Sequence, residues 1–283
     1  MLLIPITTPI LNAGDDLATI LSENSEIRAG DIIVISSKAI ATVEGAAIEL
    51  GTLSISPQAI DLSRRFSKTP ALYQAVLDET ARMHGTVIPA VNGFVLTQLK
   101  PDGMTDGTLL VPNAGIDQSN VDEGYAIGWP KDPVSSVKRL RNEVSLLMKD
   151  RYEKSGTLER LDTRPTSPTL PSLPTFQTFP IGVIISDSGL APRRRGVTAF
   201  ALCCAGFNPI VSLVDTRDLF GKALLATEEA LADQLATAAN TVMGNSAQST
   251  PAAVIREHGI AMSDFCGWVP GIEREKDLYH GVI

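Results

Sequence analysis

The chain reads as an α/β protein of the α+β kind, with mixed sheets and packed helices, and three observations carry that reading. A continuous apolar run over 31–35 has the texture of a strand buried on both faces. A second such run, Ile181-Gly-Val-Ile-Ile185, comes late in the chain, and between the two the stretch 72–83 carries apolar residues at helical spacing. Polar residues gather where the runs end: Ser36-Ser37-Lys38 after the first and Ser186-Asp187-Ser188-Gly189 after the second. In sheets with helical crossovers, ligands collect beyond the carboxyl ends of strands.

Taken in order, 2–6 is a strand, and Gly14-Asp15-Asp16 precedes Leu17, Ile20 and Leu21 at helical spacing, with an Asp suited to the N-cap. Thr42-Val-Glu-Gly45 follows the strand at 31–35; 107–111 is a further strand, and Asn113-Ala-Gly-Ile-Asp117 is the turn after it. Over 155–180 the texture changes, with Pro165, Pro168, Pro171, Pro174 and Pro180 set among Ser and Thr, as in an extended surface excursion. It separates an N-terminal part, 1–154, from a C-terminal part, 181–283. In the latter Leu224, Leu231, Leu235, Ala238 and Val242 share a helix face, with Ala226, Ala230, Ala236 and Ala239 nearby. Such an alanine-rich face reads as core or dimer contact.

The 283 residues are 44% hydrophobic, enough for a sizeable core, and carry a formal charge of -8. That balance offers nothing to nucleic-acid phosphates or an anionic membrane, so any anionic ligand needs a local cluster or a metal. Cys203, Cys204 and Cys266 cannot all pair and form no CxxC, which suits small core residues in a reducing compartment. The apolar start lacks a basic region and soon meets Asn12, Asp15 and Asp16, and no run reaches the roughly 18 apolar residues that span a bilayer. The expected location is cytoplasmic.

Asp117 and Asp187, each expected after a buried strand and beside hydroxyl and carbonyl oxygens, compose a hard-cation site of the Mg2+ or Mn2+ type. The same residues also read as turn formers or N-caps, and residue types alone leave both open. His84, His258 and His280 are scattered without HxxxH or HxxE spacing, which argues against zinc. No GxxxxGK[ST] and no GxGxxG occurs, so a nucleotide would need a scaffold of neither the Walker nor the Rossmann kind. Arg193-Arg194-Arg195 is the densest positive charge; it reads either as a solvated turn or as an oxyanion fork.

These segments, in this order, resemble the coenzyme F-420 gamma-glutamyl ligase family. Gly14-Asp15-Asp16-Leu17 is similar to its Gly-Asp-Asp-Leu, Ser37-Lys38 and Glu44-Gly45 to its Ser-Lys and Glu-Gly, and Asn113-Ala-Gly-Ile-Asp-Gln-Ser-Asn120 to its Asn-Ala-Gly-Ile-Asp-x-Ser-Asn. Trp129-Pro-Lys-Asp-Pro133 with Ser136 resembles Leu-Pro-x-Asp-Pro-x-x-Ser, and Ile185-Ser-Asp-Ser188 resembles Ile-Ser-Asp-Thr. Asp218-Leu-Phe-Gly221, Ala232-Asp233 and Met243-Gly244 follow in the family's order. The resemblance implies an intertwined homodimer that uses GTP and a divalent metal, Mg2+ or Mn2+, with K+ as a further candidate ion, to join L-glutamate to the carboxylate of a deazaflavin precursor. By the same match the metal ligands are Asp117, Asp187, Ser188 and Asn245. The GTP contacts are Thr8, Pro9, Ile10 and Leu11, then Ser37, Lys38, Thr42 and Asn120. They continue through Met243, Gly244, Asn245, Ser246, Ala247, Gln248, Ser249 and Thr250. Asp117, Asp187 and Lys38 are the candidate catalytic residues, because phosphoryl transfer asks for positioning and charge neutralisation rather than a protein nucleophile.

The pattern departs where substrates should lie. Thr42 stands in place of a second lysine, and Asn245 in place of Gln or Glu. Asp187-Ser-Gly-Leu-Ala-Pro-Arg-Arg194 replaces Asp-Thr-Phe-Gly-Arg-Pro-Trp-Arg, which makes Arg193 and Arg194 the candidate acceptor contacts. Three readings follow: a ligase for the F-420 precursor, a related ligase for a more anionic acceptor, and a non-catalytic nucleotide-binding or interaction protein.

Overall fold

The computed structural model describes residues 1–88, 95–154, 179–279 and 281. Nearly all of the Pro-rich stretch 155–180, and His280, therefore lie outside the described residues. The strands are β1 (Leu2–Ile6), β2 (Ile32–Ser36), β3 (Ile48–Glu49), β4 (Thr86–Ile88), β5 (Leu96–Leu99), β6 (Leu109–Pro112), β7 (Tyr125–Ala126), β8 (Gly182–Leu190), β9 (Val197–Phe207), β10 (Val211–Ser212), β11 (Glu228–Glu229), β12 (Ala252–Arg256) and β13 (Met262–Trp268). The helices among the described residues are α1 (Leu17–Asn24), α2 (Ser37–Val43), α3 (Pro57–Phe66), α4 (Pro70–Arg82), α5 (Pro133–Lys154) and α6 (Leu231–Met243).

One six-stranded sheet, in the order β1-β12-β2-β8-β9-β13, organises the molecule. β2 and β8 run parallel, with Ile32 opposite Gly182 and Ser36 opposite Ser186, while the other pairings in this sheet are antiparallel. Strands from before and after 155–180 thus interleave in a single sheet. Its two faces are both covered. Ile33, Ile35, Val183, Ile185 and Cys203 face a core shared with α1 and α5, whereas Ile32, Val34, Ile184 and Cys204 face α6. Two-sided burial is the physical reason that β2 is apolar at every step rather than at alternate ones. Each fully buried Ile or Val there contributes about 1.5–3 kcal/mol.

Helix entry follows the sequence closely. Asp16 caps α1 by accepting from Thr19 N at 3.1 Å and Thr19 Oγ1 at 2.7 Å, and Asp132 does the same for α5 through Ser135 N at 2.9 Å. Other expectations shift. The helix expected to include Leu224 begins only at Leu231, and its buried face is Ala232, Leu235, Ala236, Ala239 and Met243, about one step round from the expected one. Leu224 and Ala226 belong instead to a hairpin arm in which β10 and β11 are extended by Asp215 N donating to Leu224 O at 3.0 Å and Leu224 N to Thr216 O at 2.8 Å. The strand expected at 107–111 begins at Leu109, because Gly107 lies against the backbone of Gly271 and Ile272, where a Cβ would stand 2.5 Å from Ile272 N. Reading the sequence missed α3, α5, β9, β12 and β13. In α5 the apolar spacing of Val137, Leu140, Val144 and Met148 is interleaved with charged side chains on the exposed face. In β9 a run of Ala, Cys and Gly carries little strand propensity, and its pairing on both sides, with β8 and β13, outweighs that.

Candidate active site

The parallel pairing of β2 with β8 builds the site. Because Ser36 is opposite Ser186, the chain leaving β2 and the residue after Ser186 emerge side by side. β2 turns directly into α2, which places Lys38 in its first turn, while β8 runs on for four further residues, paired with β9. Asp187 therefore lies inside a strand rather than after one, at the point where β8 outruns β2; a register shift between Ile185 and Ser186 marks the spot. Asp117 arrives from the other side, on the turn after β6.

That turn is unusual backbone. Asn113, Ala114 and Gly115 all have positive φ, at 52°, 52° and 76°. For Ala114 this is a strained conformation of order 1 kcal/mol, held in place by Asn113 N donating to Val95 O at 2.6 Å and Ala114 N to Thr97 Oγ1 at 3.1 Å. Gly115 has a second constraint, since a Cβ there would stand 2.5 Å from Trp129 Nε1. Such strain, over-determined by its neighbours, is found where a backbone must aim a functional side chain. Here it aims Asp117.

Asp117 accepts hydrogen bonds from Lys38 Nζ and Ser119 Oγ, and from the backbone of Gln118 at 2.7 Å and Ser119 at 3.2 Å. Burial works against its negative charge, but these donors outweigh it and hold the carboxyl at about 2. Asp187 is the contrary case. Burial pushes its carboxyl up, and the nearby Asp117 adds to this, against the donors Trp129 and Ser188 and the charge of Lys38. Two carboxylates and one ammonium thus share a cleft that is still partly open to solvent. With both ionised, the pair would carry one more negative charge than Lys38 neutralises. Hard oxygen donors with surplus negative charge fit Mg2+ or Mn2+, whose further ligands are ordinarily phosphate oxygens and water. Among the described residues no cluster of three His, Cys, Asp or Glu occurs, so a cation here would rest on these two carboxylates.

The residues expected to touch nucleotide come to the same end of the sheet. β1 and β12 are antiparallel with Ile6 opposite Ala252, so Thr8 to Leu11 leave the sheet beside the segment that enters it, and Thr8 N donates to Ser249 O at 2.9 Å. Ser36 N donates to Pro251 O at 2.9 Å, which ties the same loop to the start of α2. Within the loop, Gln248 packs on Gly244 and accepts from Ser246 N at 2.8 Å, while Thr250 Oγ1 donates to Met243 O at 2.6 Å. Asn245 and Ala247 are exposed in it. Thr42 is one turn beyond Lys38, hence on the same face of α2, and exposed Asn120 follows Asp117 with φ 56°. Ser37 Oγ is buried with no hydrogen-bond partner among the described residues, which ordinarily costs about 1–3 kcal/mol. Neither Ser188 Oγ nor Asn245 bonds to either aspartate among the described residues. Pro9 and Ile10 are exposed at the mouth.

Several motif residues lie elsewhere. Glu44 accepts from Ser136 Oγ at 2.5 Å and pairs with Arg139, so it fastens the far end of α2 to α5. With Gly14 and Glu143 these residues line a separate cavity of about 260 Å3. Arg193 and Arg194 are exposed at the tip joining β8 to β9. His84 bonds Asp102 at 3.0 Å and His258 bonds Gly30 O at 2.7 Å, both away from the cleft. Two motif residues to which no role was assigned also meet the aspartates: Ser119, a donor to Asp117, and Trp129, whose Nε1 donates to Asp187 Oδ2 at 2.5 Å.

The chain is similar to known proteins over most of its length. The family model for F420-0:gamma-glutamyl ligase matches residues 5–153 and 175–257. Coenzyme F420:L-glutamate ligase of Methanothermobacter thermautotrophicus is 33% identical, over 96% of this chain and 96% of its own. The proteins of the same name from Methanopyrus kandleri and Methanocaldococcus jannaschii are each 30% identical, covering 86% and 98% of this chain and 81% and 95% of theirs. With the match running through both halves of the sheet, the chain belongs to the F420-0:gamma-glutamyl ligase family.

Proposed function

We propose that this chain joins L-glutamate to the carboxylate of F420-0 in a reaction that consumes GTP and depends on a divalent metal. The observation that carries the reading is the convergence of Lys38, Asp117 and Asp187 beside the loops 8–11 and 243–250. A carboxylate does not react with an amine until one of its oxygens becomes a leaving group. An acceptor oxygen therefore attacks the γ-phosphorus of GTP, GDP departs, and an acyl phosphate forms; the glutamate nitrogen then attacks the acyl carbon and phosphate departs. When bound, Mg2+ or Mn2+ would supply positive charge that stabilises the negative charge developing on the phosphate. Asp117 and Asp187 would hold it, with Ser188 and Asn245 as the further candidate ligands and K+ as a candidate second ion. Lys38 is a compact positive charge beside them, Ser37, Thr42 and Asn120 line the same end of the cleft, and the loop 243–250 frames the nucleotide.

Arg193 and Arg194 are assigned to the acceptor. Three strand residues separate Asp187 from the end of β8, about 10 Å, and the turn adds more. At that reach the guanidinium groups suit carboxylates or phosphate on the far end of an acceptor rather than the reacting centre.

The hairpin arm supports a homodimer. Leu219, Phe220 and Leu225 are 100%, 89% and 84% exposed along it, an apolar display with no cover in one chain. The location assigned is cytoplasmic; no helix among the described residues is long and apolar enough to cross a membrane. The test is mass spectrometry of products after incubation with GTP, Mn2+, glutamate and F420-0. A product heavier by one glutamyl residue is expected. Its absence, with the chain folded and GTP bound, would overturn the reading in favour of a different acceptor or a binding role.

A further inference from the structure

Trp129 belongs to none of the segments expected to meet nucleotide or metal, yet it touches both carboxylate-bearing segments. Its indole N–H donates to Asp187 Oδ2 at 2.5 Å, and the backbone N–H of Ser188 donates to Asp187 Oδ1 at 2.8 Å. With one donor on each oxygen the carboxylate plane is fixed, and each oxygen keeps a lone pair for another partner.

The indole is itself held from several sides. The Asn113–Gly115 turn lies on its edge at Gly115, close enough that a Cβ would stand 2.5 Å from Nε1. The Trp268 ring lies 6.5 Å away, tilted by 51°, and is anchored by its own N–H to Asp102 O at 2.9 Å. Trp129 is 3% exposed, so rotation away from Asp187 would need these neighbours to move. Two residues earlier, Ile127 exchanges both backbone hydrogen bonds with Asp117, at 2.9 and 2.8 Å. One three-residue segment, 127–129, therefore holds Asp117 through its backbone and Asp187 through a side chain.

We infer that Trp129 is a positioning residue whose N–H fixes the orientation of Asp187 relative to Asp117 for a divalent cation. This rests on the metal reading above. Donors behind a ligating carboxylate are typically worth 10- to 100-fold in metal affinity. A phenylalanine keeps the ring but not the N–H, so it separates positioning from packing.

Mn2+ binding by calorimetry on wild type, Trp129→Phe and Trp129→Leu, each with a thermal melt, tests the inference. The expected result is a dissociation constant raised about tenfold or more in Trp129→Phe and to a similar degree in Trp129→Leu. A purely packing role predicts that Trp129→Phe binds like wild type and only Trp129→Leu suffers; that outcome overturns this inference alone. A wild-type protein that takes up no Mn2+ overturns it together with the metal reading. Should the variants fail to fold, the wild-type protein suffices. It has two tryptophans, whose indole N–H resonances are assigned through Trp268→Phe, and Mg2+ titration should move that of Trp129. A Trp129 resonance unmoved at Mg2+ saturation is the contrary result.

Discussion

Asp117 and Asp187 have the same side chain and opposite electrostatic fates. Asp117 receives four donors, which overcome its burial and leave it ionised down to about pH 2. Asp187 has fewer donors and a like charge nearby, and its carboxyl is pushed up. A cation would relieve that second penalty, which is why the proposed metal site uses both carboxylates. Asp117→Asn keeps the shape and removes a charge; it should abolish metal-dependent turnover, and undiminished turnover in that variant or in chelator is the contrary result. Lys38→Ala should weaken GTP binding strongly and Thr42→Ala modestly, since a neutral hydroxyl hydrogen bond contributes only about 1 kcal/mol. Calorimetry ranks the two, and equal losses would contradict the assignment. That Lys38, Asp117 and Asp187 lie near one another was legible from their motifs beside apolar runs, although Asp187 stands inside β8 rather than after a strand. Trp129 was read only as the first residue of a motif in which the family has Leu, because its contact is with a residue 58 positions away.

At the scale of elements, part of what reads as functional motif is framework. Gly14-Asp15-Asp16-Leu17 caps α1, and Glu44 binds Ser136 and Arg139 to hold the far end of α2 against α5. This matters to the site because the near end of α2 carries Lys38. Asp16→Ala should lower stability by about 1 kcal/mol, the usual worth of a cap. Hydrogen bonds from Thr19 lower the Asp16 carboxyl below its ordinary 3.8. The stabilisation is therefore fully present above that ordinary value and fades as pH falls through the lower folded value. Melting curves of wild type and Asp16→Ala should differ at neutral pH and converge in acid; a difference that persists unchanged would refute the linkage. Elements with a continuous apolar run, such as β1 and β2, or with one clean helical period, such as α1 and α4, were readable in advance. β9, β12 and β13 were not, because short or Ala-, Cys- and Gly-rich runs carry little strand character of their own and take it from their sheet neighbours.

At the scale of the molecule, one sheet draws β1 and β2 from early in the chain and β8, β9, β12 and β13 from late in it. The site exists only because that interleaving sets β2 beside β8, a parallel pairing of strands about 150 residues apart that no local pattern announces. The exposed arm with Leu219 and Phe220 belongs to the same scale. If the proposed homodimer forms through this arm, replacing both with Ser should give monomer in sedimentation where the wild type gives dimer, and a dimer unchanged by the replacement would remove the arm from the interface. The central claim, that this cleft activates a carboxylate by phosphorylation, has a direct test. F420-0 carrying heavy oxygen in its reacting carboxylate is incubated with the protein, GTP, Mn2+ and glutamate, and the released phosphate is analysed by mass spectrometry. One heavy oxygen in each phosphate, with the signal lost in Asp117→Asn, is the predicted result; amide product accompanied by phosphate with no heavy oxygen would contradict the account.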